Sequence, residues 1–137
     1  MEILHIQGTS NTPSVTLNHT SHKLQFSGES RPENVREFFA PVYNWLNDYK
    51  NVVFYLAEQS QTGINITVEF KMEYFNSSSV RVFNEILTEL KKFVTESNNK
   101  VRLTINWHYD EGDIDNKEAG EEFADLIKLP INIIEGF

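Results

Sequence analysis

Asn76 is followed by three consecutive serines, Ser77, Ser78 and Ser79, and further along the chain His108 precedes Asp110 and Glu111. A hydroxyl, an imidazole and a carboxylate are the parts of a nucleophilic hydrolase. One serine of Ser77–Ser79 would attack, His108 would take its proton, and Asp110 or Glu111 would orient the ring. No G-x-S-x-G turn surrounds the serines, and that turn is what exposes the nucleophile in the α/β-hydrolase pattern. The same hydroxyls serve two other purposes. A short hydroxyl at a helix start accepts a bond from a free backbone N–H, so each serine is a candidate N-cap. A helix start also tolerates negative charge, so a serine there is a candidate for phosphorylation, which adds up to about two charges.

Other polar clusters are weaker. Asp113, Asp115 and Glu118 suggest a hard-cation loop, but the turn glycine and terminal bidentate acid of an EF-hand are missing at the required offsets. A solvated acidic helix start is the better reading. His19 and His22 have no third ligand near them in sequence, so neither a metal nor another cofactor is expected. There is no cysteine, which removes thiol catalysis, disulfides and cysteine-ligated metal. No glycine-rich phosphate cradle of either the dinucleotide or the P-loop pattern is present, so ATP binding and self-modification are not expected.

The elements that must position these groups follow from periodicity. Ile64, Ile66, Val68, Phe70, Met72 and Tyr74 alternate, which predicts a strand with one buried face ending just before the serines. Phe83, Ile86, Leu87, Leu90, Phe93 and Val94 then recur at three and four, an amphipathic helix. Upstream, Ser14–Asn18 and Lys23–Ser27 alternate around a polar tract and predict an N-terminal β-hairpin. The residues before Gly8 form either a short strand or an arm over the core. Ser30 can cap a helix starting at Pro32, carrying the stripe Val35, Phe38, Phe39, Val42, Trp45, Leu46, Tyr49; Pro41 should kink or divide it. Trp45 lies on that stripe and is read as core. Val101, Leu103, Ile105, Trp107 and Tyr109 predict another strand. The acidic tract after them leads into a helix ended by Pro130, and Ile131–Ile134 closes as a strand.

Hairpin, helix, strand, helix, strand, helix, strand implies a mixed, mainly parallel α/β sheet. The inner strands alternate with Asn65, Thr67, Glu69, Lys71 and with Arg102, Thr104, Asn106, His108, so the helices should pack on one face and leave the other solvated. Loops at the strand carboxyl ends then gather on one edge, bringing together Gly28–Pro32, Asn76–Ser79 and His108–Asp113, with Arg31 and Arg81 as the nearby cations. The 137 residues suit one domain. A net charge of −8 disfavours nucleic acid and anionic membrane as partners. With no signal-like start and no apolar run long enough to span a bilayer, a cytoplasmic protein that binds proteins is expected.

Specific segments carry a family resemblance. Thr12-Pro13, Ser27-Gly28-Glu29-Ser30 with Pro32-Glu33-Asn34, Trp45-Leu46, Glu73-Tyr74-Phe75-Asn76-Ser77-Ser78-Ser79, Trp107-His108-Tyr109 and Glu118-Ala119-Gly120-Glu121-Glu122-Phe123 together resemble the SiaC family of bacterial regulatory phosphoproteins. The resemblance implies a fold similar to the STAS-type (SpoIIAA-like) anti-sigma-factor antagonists and a non-enzymatic role in biofilm and c-di-GMP signalling. It implies that a dedicated, SiaB-like kinase phosphorylates the hydroxyl residue after the asparagine, here Ser77, with Ser78 or Ser79 as fallbacks. A PP2C-type, SiaA-like phosphatase would reverse this, and the unmodified form would bind and stimulate a SiaD-like diguanylate cyclase or another effector. The partner surface would include Glu29, Ser30, Arg31, Pro32, Asn76, Ser78, His108, Tyr109 and Asp110. Two alternatives stand beside it: an anti-sigma-factor antagonist switch on the same scaffold, and the small hydrolase.

Overall fold

In the computed structural model, which describes residues 1–137, six strands lie in the order in which the chain makes them. β1 (Leu4–Ile6), β2 (Ser14–Asn18) and β3 (Lys23–Ser30) are antiparallel neighbours, and β4 (Ile64–Phe75), β5 (Val101–Tyr109) and β6 (Asn132–Glu135) follow in parallel. Helices α1 (Val35–Gln59), α2 (Ser77–Thr95) and α3 (Ile114–Ile127) make the crossovers. The first apolar residues, left between strand and arm by the sequence, are the edge strand β1, with Leu4 opposite Leu17 and Ile6 opposite Val15.

All three helices pack on one face. Phe26, Phe70 and Trp107 of adjacent strands form a row of rings with centroids 5.1 and 5.0 Å apart. Phe83 of α2 covers Phe70 at 5.3 Å, and Phe123 of α3 covers Trp107 at 5.2 Å. α3 comes this close because residue 120 is glycine: a Cβ there would lie 2.5 Å from Trp107 Cδ1 and 2.9 Å from Ile133 Cδ1. Trp45 is buried on the stripe of α1, with its indole N–H donated to the Glu2 carbonyl at 2.8 Å. The opposite face of the sheet carries Thr16, Gln25, Thr67, Glu69, Lys71, Asn106 and His108, as the alternation requires.

Four local expectations are corrected. α1 starts at Val35 and not at Pro32, because Asn34 is its cap: Asn34 Oδ1 accepts from Glu37 N at 3.1 Å, and Ser30 remains in β3. Pro41 does not divide α1. Both Pro41 and Glu37 are exposed, so the carbonyl that loses its helical donor faces solvent. The serines are not the caps of α2; Asn76 is, accepting from Ser79 N at 3.0 Å. Last, the alternation of β4 does not run through Tyr74. Opposite β3, Gly28 pairs with Met72 but Glu29 pairs with Tyr74, so Glu73 is an extra residue, a β-bulge. Gly28, opposite, has φ +91°, a conformation glycine adopts without strain. Beyond the bulge the facing is inverted. Tyr74 is 48% exposed, while Phe75 turns inward onto Phe83 and Trp107.

Candidate functional site

The joint between the end of β3 and the start of α2 is built from backbone and hydroxyl groups. The Ser30 carbonyl accepts from Asn76 N at 3.0 Å and from Ser79 Oγ at 3.0 Å. Ser30 Oγ and Ser79 Oγ are 2.7 Å apart, and both residues have no exposed surface. Each hydroxyl has one proton. With that of Ser79 directed to the carbonyl, the Ser30 hydroxyl donates to Ser79 Oγ, and both protons are used. Asn76 takes an extended backbone, φ −88° and ψ 176°, and its Oδ1 also receives the Ser78 hydroxyl at 3.0 Å.

This arrangement sorts the three serines. Ser79 is buried and bonded twice; Ser78 is half-buried and bonded to the cap; Ser77 is exposed and its hydroxyl has no hydrogen-bond partner. Ser77 is the first residue of α2, where backbone N–H groups and the helix dipole favour an added anion. The fallback position Ser79 and the contact position Ser30 have no surface to offer, so their part is to hold the joint. Sequence spacing alone could not separate the three, since which hydroxyl points inward depends on the cap falling on Asn76.

The structure brings the other expected residues to this edge unequally. Arg31 follows Ser30 directly. Its backbone N–H is donated to the Asn11 carbonyl at 2.9 Å, and its guanidinium lies over the Tyr74 ring at 5.9 Å. The Thr9–Thr12 loop, which the sequence reading left out of the site, is thereby part of the edge. Pro32 is buried against a shallow cleft of about 330 Å³ lined by Thr12, Asn34 and Phe38. Glu29 is half-buried opposite Tyr74. A second cleft of about 260 Å³ joins the bulge to the start of α3, lined by Glu73, Tyr74, Phe75, Asp113, Asp115 and Asn116. Asp113, one of the suspected cation ligands, is the N-cap of α3, accepting from Asn116 N at 3.1 Å.

His108 is directed elsewhere. Its Nε2 is 2.9 Å from Glu69 Oε2 and its Nδ1 is 3.0 Å from the Gly136 carbonyl, both on the open face of the sheet. Both ring nitrogens are engaged, and no hydrogen bond links this imidazole to any of the serines. The nucleophile–base pair required for the hydrolase reading is therefore not assembled. Tyr109 is half-buried and its carbonyl is held by Gly136 N at 2.7 Å, while Asp110 is exposed at the turn into α3.

A charged group away from the edge links α1 to α2. Arg36 donates to both carboxylate oxygens of Glu85 at 2.6 and 2.8 Å, and the Tyr43 hydroxyl donates to Glu85 at 2.6 Å. The Arg36 hydrogen bond, then that of Tyr43, holds the Glu85 carboxyl down at about 2. Burial first, then the Glu85 bond, raises the Tyr43 phenol well above its ordinary value.

The family model described as SiaC family regulatory phosphoprotein matches residues 6–136. A curated protein of Pseudomonas aeruginosa (strain UCBPP-PA14), described as uncharacterized, is 29% identical over 134 residues, covering 97% of this chain and 96% of its own. The crystal structure of apo-SiaC from Pseudomonas aeruginosa is similar with a TM-score of 0.79 at 27% identity, covering 98% of this chain and 99% of that one. A structure of the diguanylate cyclase SiaD in complex with its activator SiaC from the same organism contains a similar chain, TM-score 0.79 at 26% identity, covering 97% of this chain and 99% of that one.

Proposed function

The chain belongs to the SiaC family of regulatory phosphoproteins, and from that membership we propose that it is a partner-switching regulator, one domain over residues 1–137, set by phosphorylation of Ser77. A regulator of this kind acts on its partners, so the serines and His108 are given no catalytic role. A dedicated, SiaB-like protein kinase transfers a phosphoryl group from a nucleoside triphosphate to Ser77 Oγ. A PP2C-type, SiaA-like phosphatase returns the hydroxyl by hydrolysis. SiaC of Pseudomonas aeruginosa is the activator with which the diguanylate cyclase SiaD forms a complex. By that likeness the unmodified form of this chain binds and stimulates a diguanylate cyclase, and thereby feeds c-di-GMP signalling.

The observation that carries the assignment is the exposed, unpartnered hydroxyl of Ser77 beside two serines whose hydroxyls are committed. A kinase needs an accessible oxygen, and a phosphate on this one cuts no existing bond. The strand ends on this side of the sheet carry acids, Glu29 in β3, Glu73 in β4 and Asp110 just after β5. A partner fitted to the neutral hydroxyl and offering no cation would meet added bulk and negative charge and let go. Glu29, Arg31, Asn76, Ser78, Tyr109 and Asp110 are the residues assigned to the contact.

The test is the intact mass and phosphosite map of the protein from its own host, with and without phosphatase, alongside Ser77→Ala. A single removable phosphate on Ser77, absent from the variant, is expected. A phosphate on Ser78, or none under any growth condition, would overturn the assignment.

A further inference from the structure

Of the four arginines in the chain, three are engaged. Arg36 holds Glu85, Arg102 donates to the Thr62 carbonyl at 2.9 Å, and Arg31 lies over Tyr74 with a long 3.5 Å contact to the Ser10 carbonyl. Arg81 is exposed and its guanidinium makes no hydrogen bond, ion pair or ring contact. It stands four residues after Ser77 in α2, and residues at that spacing share a helix face with Cβ atoms about 5–6 Å apart. Helical side chains lean toward the N-terminus, and in such a rotamer an arginine at this position has the length to reach back to the turn that begins with Ser77. Glu85, one turn further on, is the acid that could compete for it. Arg81 does contribute to the field on that carboxyl, but Glu85 is already claimed by Arg36 and Tyr43 from α1.

We propose that Arg81 is the intramolecular receiver of the phosphate on Ser77, closing a charge clamp across the first two turns of α2. This rests on the Ser77 assignment above. A phosphate carries about −1.5 to −2 at neutral pH and pairs with guanidinium through two charge-assisted hydrogen bonds. Phosphorylation then does two things at once: it adds a dianion to the edge and withdraws a free cation from it. Arg81 acts here through Ser77 and is a positioning residue for the switch.

The experiment uses the full chain with phosphoserine installed at position 77, its Arg81→Gln version and its Arg31→Gln version, each followed by phosphorus NMR across the second phosphate ionisation near pH 6. Pairing with a cation favours the dianion and lowers that midpoint. Glu29, Glu73 and Glu85 are present in all three proteins and cancel in the comparison. An i,i+4 ion pair predicts a midpoint roughly 0.2–0.4 pH unit higher in R81Q than in the parent, a gap that shrinks in 1 M salt. R31Q should titrate like the parent, since Arg31 is held over Tyr74. Superimposable curves for R81Q and parent would overturn the clamp, as would an equal shift in R31Q, which would mean a diffuse positive field. Circular dichroism checks that R81Q keeps the parent fold. Binding of a diguanylate cyclase to the same phosphorylated and unmodified preparations tests the switch separately. A phosphate that fails to release the cyclase ends the Ser77 reading and leaves the NMR result standing.

Discussion

Replacing Ser79 with alanine should cost more stability than replacing Ser30, although both hydroxyls are equally buried and touch each other. The asymmetry follows from where the protons go. In Ser30→Ala the Ser79 hydroxyl keeps its bond to the Ser30 backbone carbonyl, 3.0 Å away, and what is lost is one buried hydrogen bond. Such a bond is worth about 0.5–1.5 kcal/mol net. In Ser79→Ala the Ser30 hydroxyl is left with no acceptor in a site of zero exposure. The carbonyl keeps Asn76 N but loses its second donor. Stranding a buried donor costs about 1–3 kcal/mol, in addition to the bond itself. In the double variant nothing is stranded, so its loss should be less than the sum of the two. Urea unfolding of the four proteins, read by midpoint at constant slope, gives the cycle directly. Equal costs for the two single variants, or strict additivity, would refute the proton assignment and with it the account of the joint. Ser77→Ala, run beside them, should be within about 0.5 kcal/mol of the parent, because its hydroxyl is exposed and unbonded.

Three further outcomes follow from other sites. Asn76→Ala should destabilise by about 1 kcal/mol, since its oxygen caps Ser79 N and also holds Ser78, whereas Asn76→Asp should recover most of the loss in thermal melts. Gly120→Ala should be destabilising by about 1–3 kcal/mol despite a better helix propensity, because the added methyl would overlap the Trp107 ring and Ile133; calorimetry checks it. Burial first, then the charge of His19, lowers the pKa of His22, which lies 2.6 Å from the Tyr49 hydroxyl. The unfolded chain therefore takes up that proton first: the His22 contribution is complete above about pH 6.5 and declines as the pH falls below it. Urea midpoints from pH 7.5 to 5 should show this fall in the parent and a flatter profile in His22→Asn, asparagine being chosen because residue 22 has φ 56°.

Periodicity was enough to place the strands of the hairpin, the three crossovers and the one-sided packing of the helices, because each of those depends on apolar spacing within a short window. It failed where the outcome depends on a partner strand. Nothing within Ile64–Phe75 distinguishes an unbroken alternation from one interrupted at Glu73; the interruption is defined only against Gly28 and Glu29 of β3. The adjacent pair Tyr74-Phe75, two aromatics where alternation allows one inside, is the local trace of it. The caps are not legible in the sequence for a related reason. Asparagine and serine cap about equally well, so Asn34 against Ser30 and Asn76 against Ser77 were decided by tertiary contacts: the buried Ser30–Ser79 pair fixes both.

That pair also explains why a charge could be added at this edge without disturbing the fold. The joint between β3 and α2 is made by Ser30, Asn76 and Ser79, with Ser78 tied to the cap, and every one of these groups faces inward or is bonded. Ser77 is the residue of the first turn that the joint does not use. A phosphate placed there leaves the strand pairing, the cap and the aromatic row behind them intact, so the information it carries lies wholly in surface charge. The bulge at Glu73 works to the same end. By turning Phe75 into the core it anchors the chain one residue before the cap, and by turning Tyr74 outward it leaves an exposed aromatic on which Arg31 is held. Under the switch proposed for Ser77, a bonded joint with a single free hydroxyl would let a kinase change the partner surface at small cost in stability.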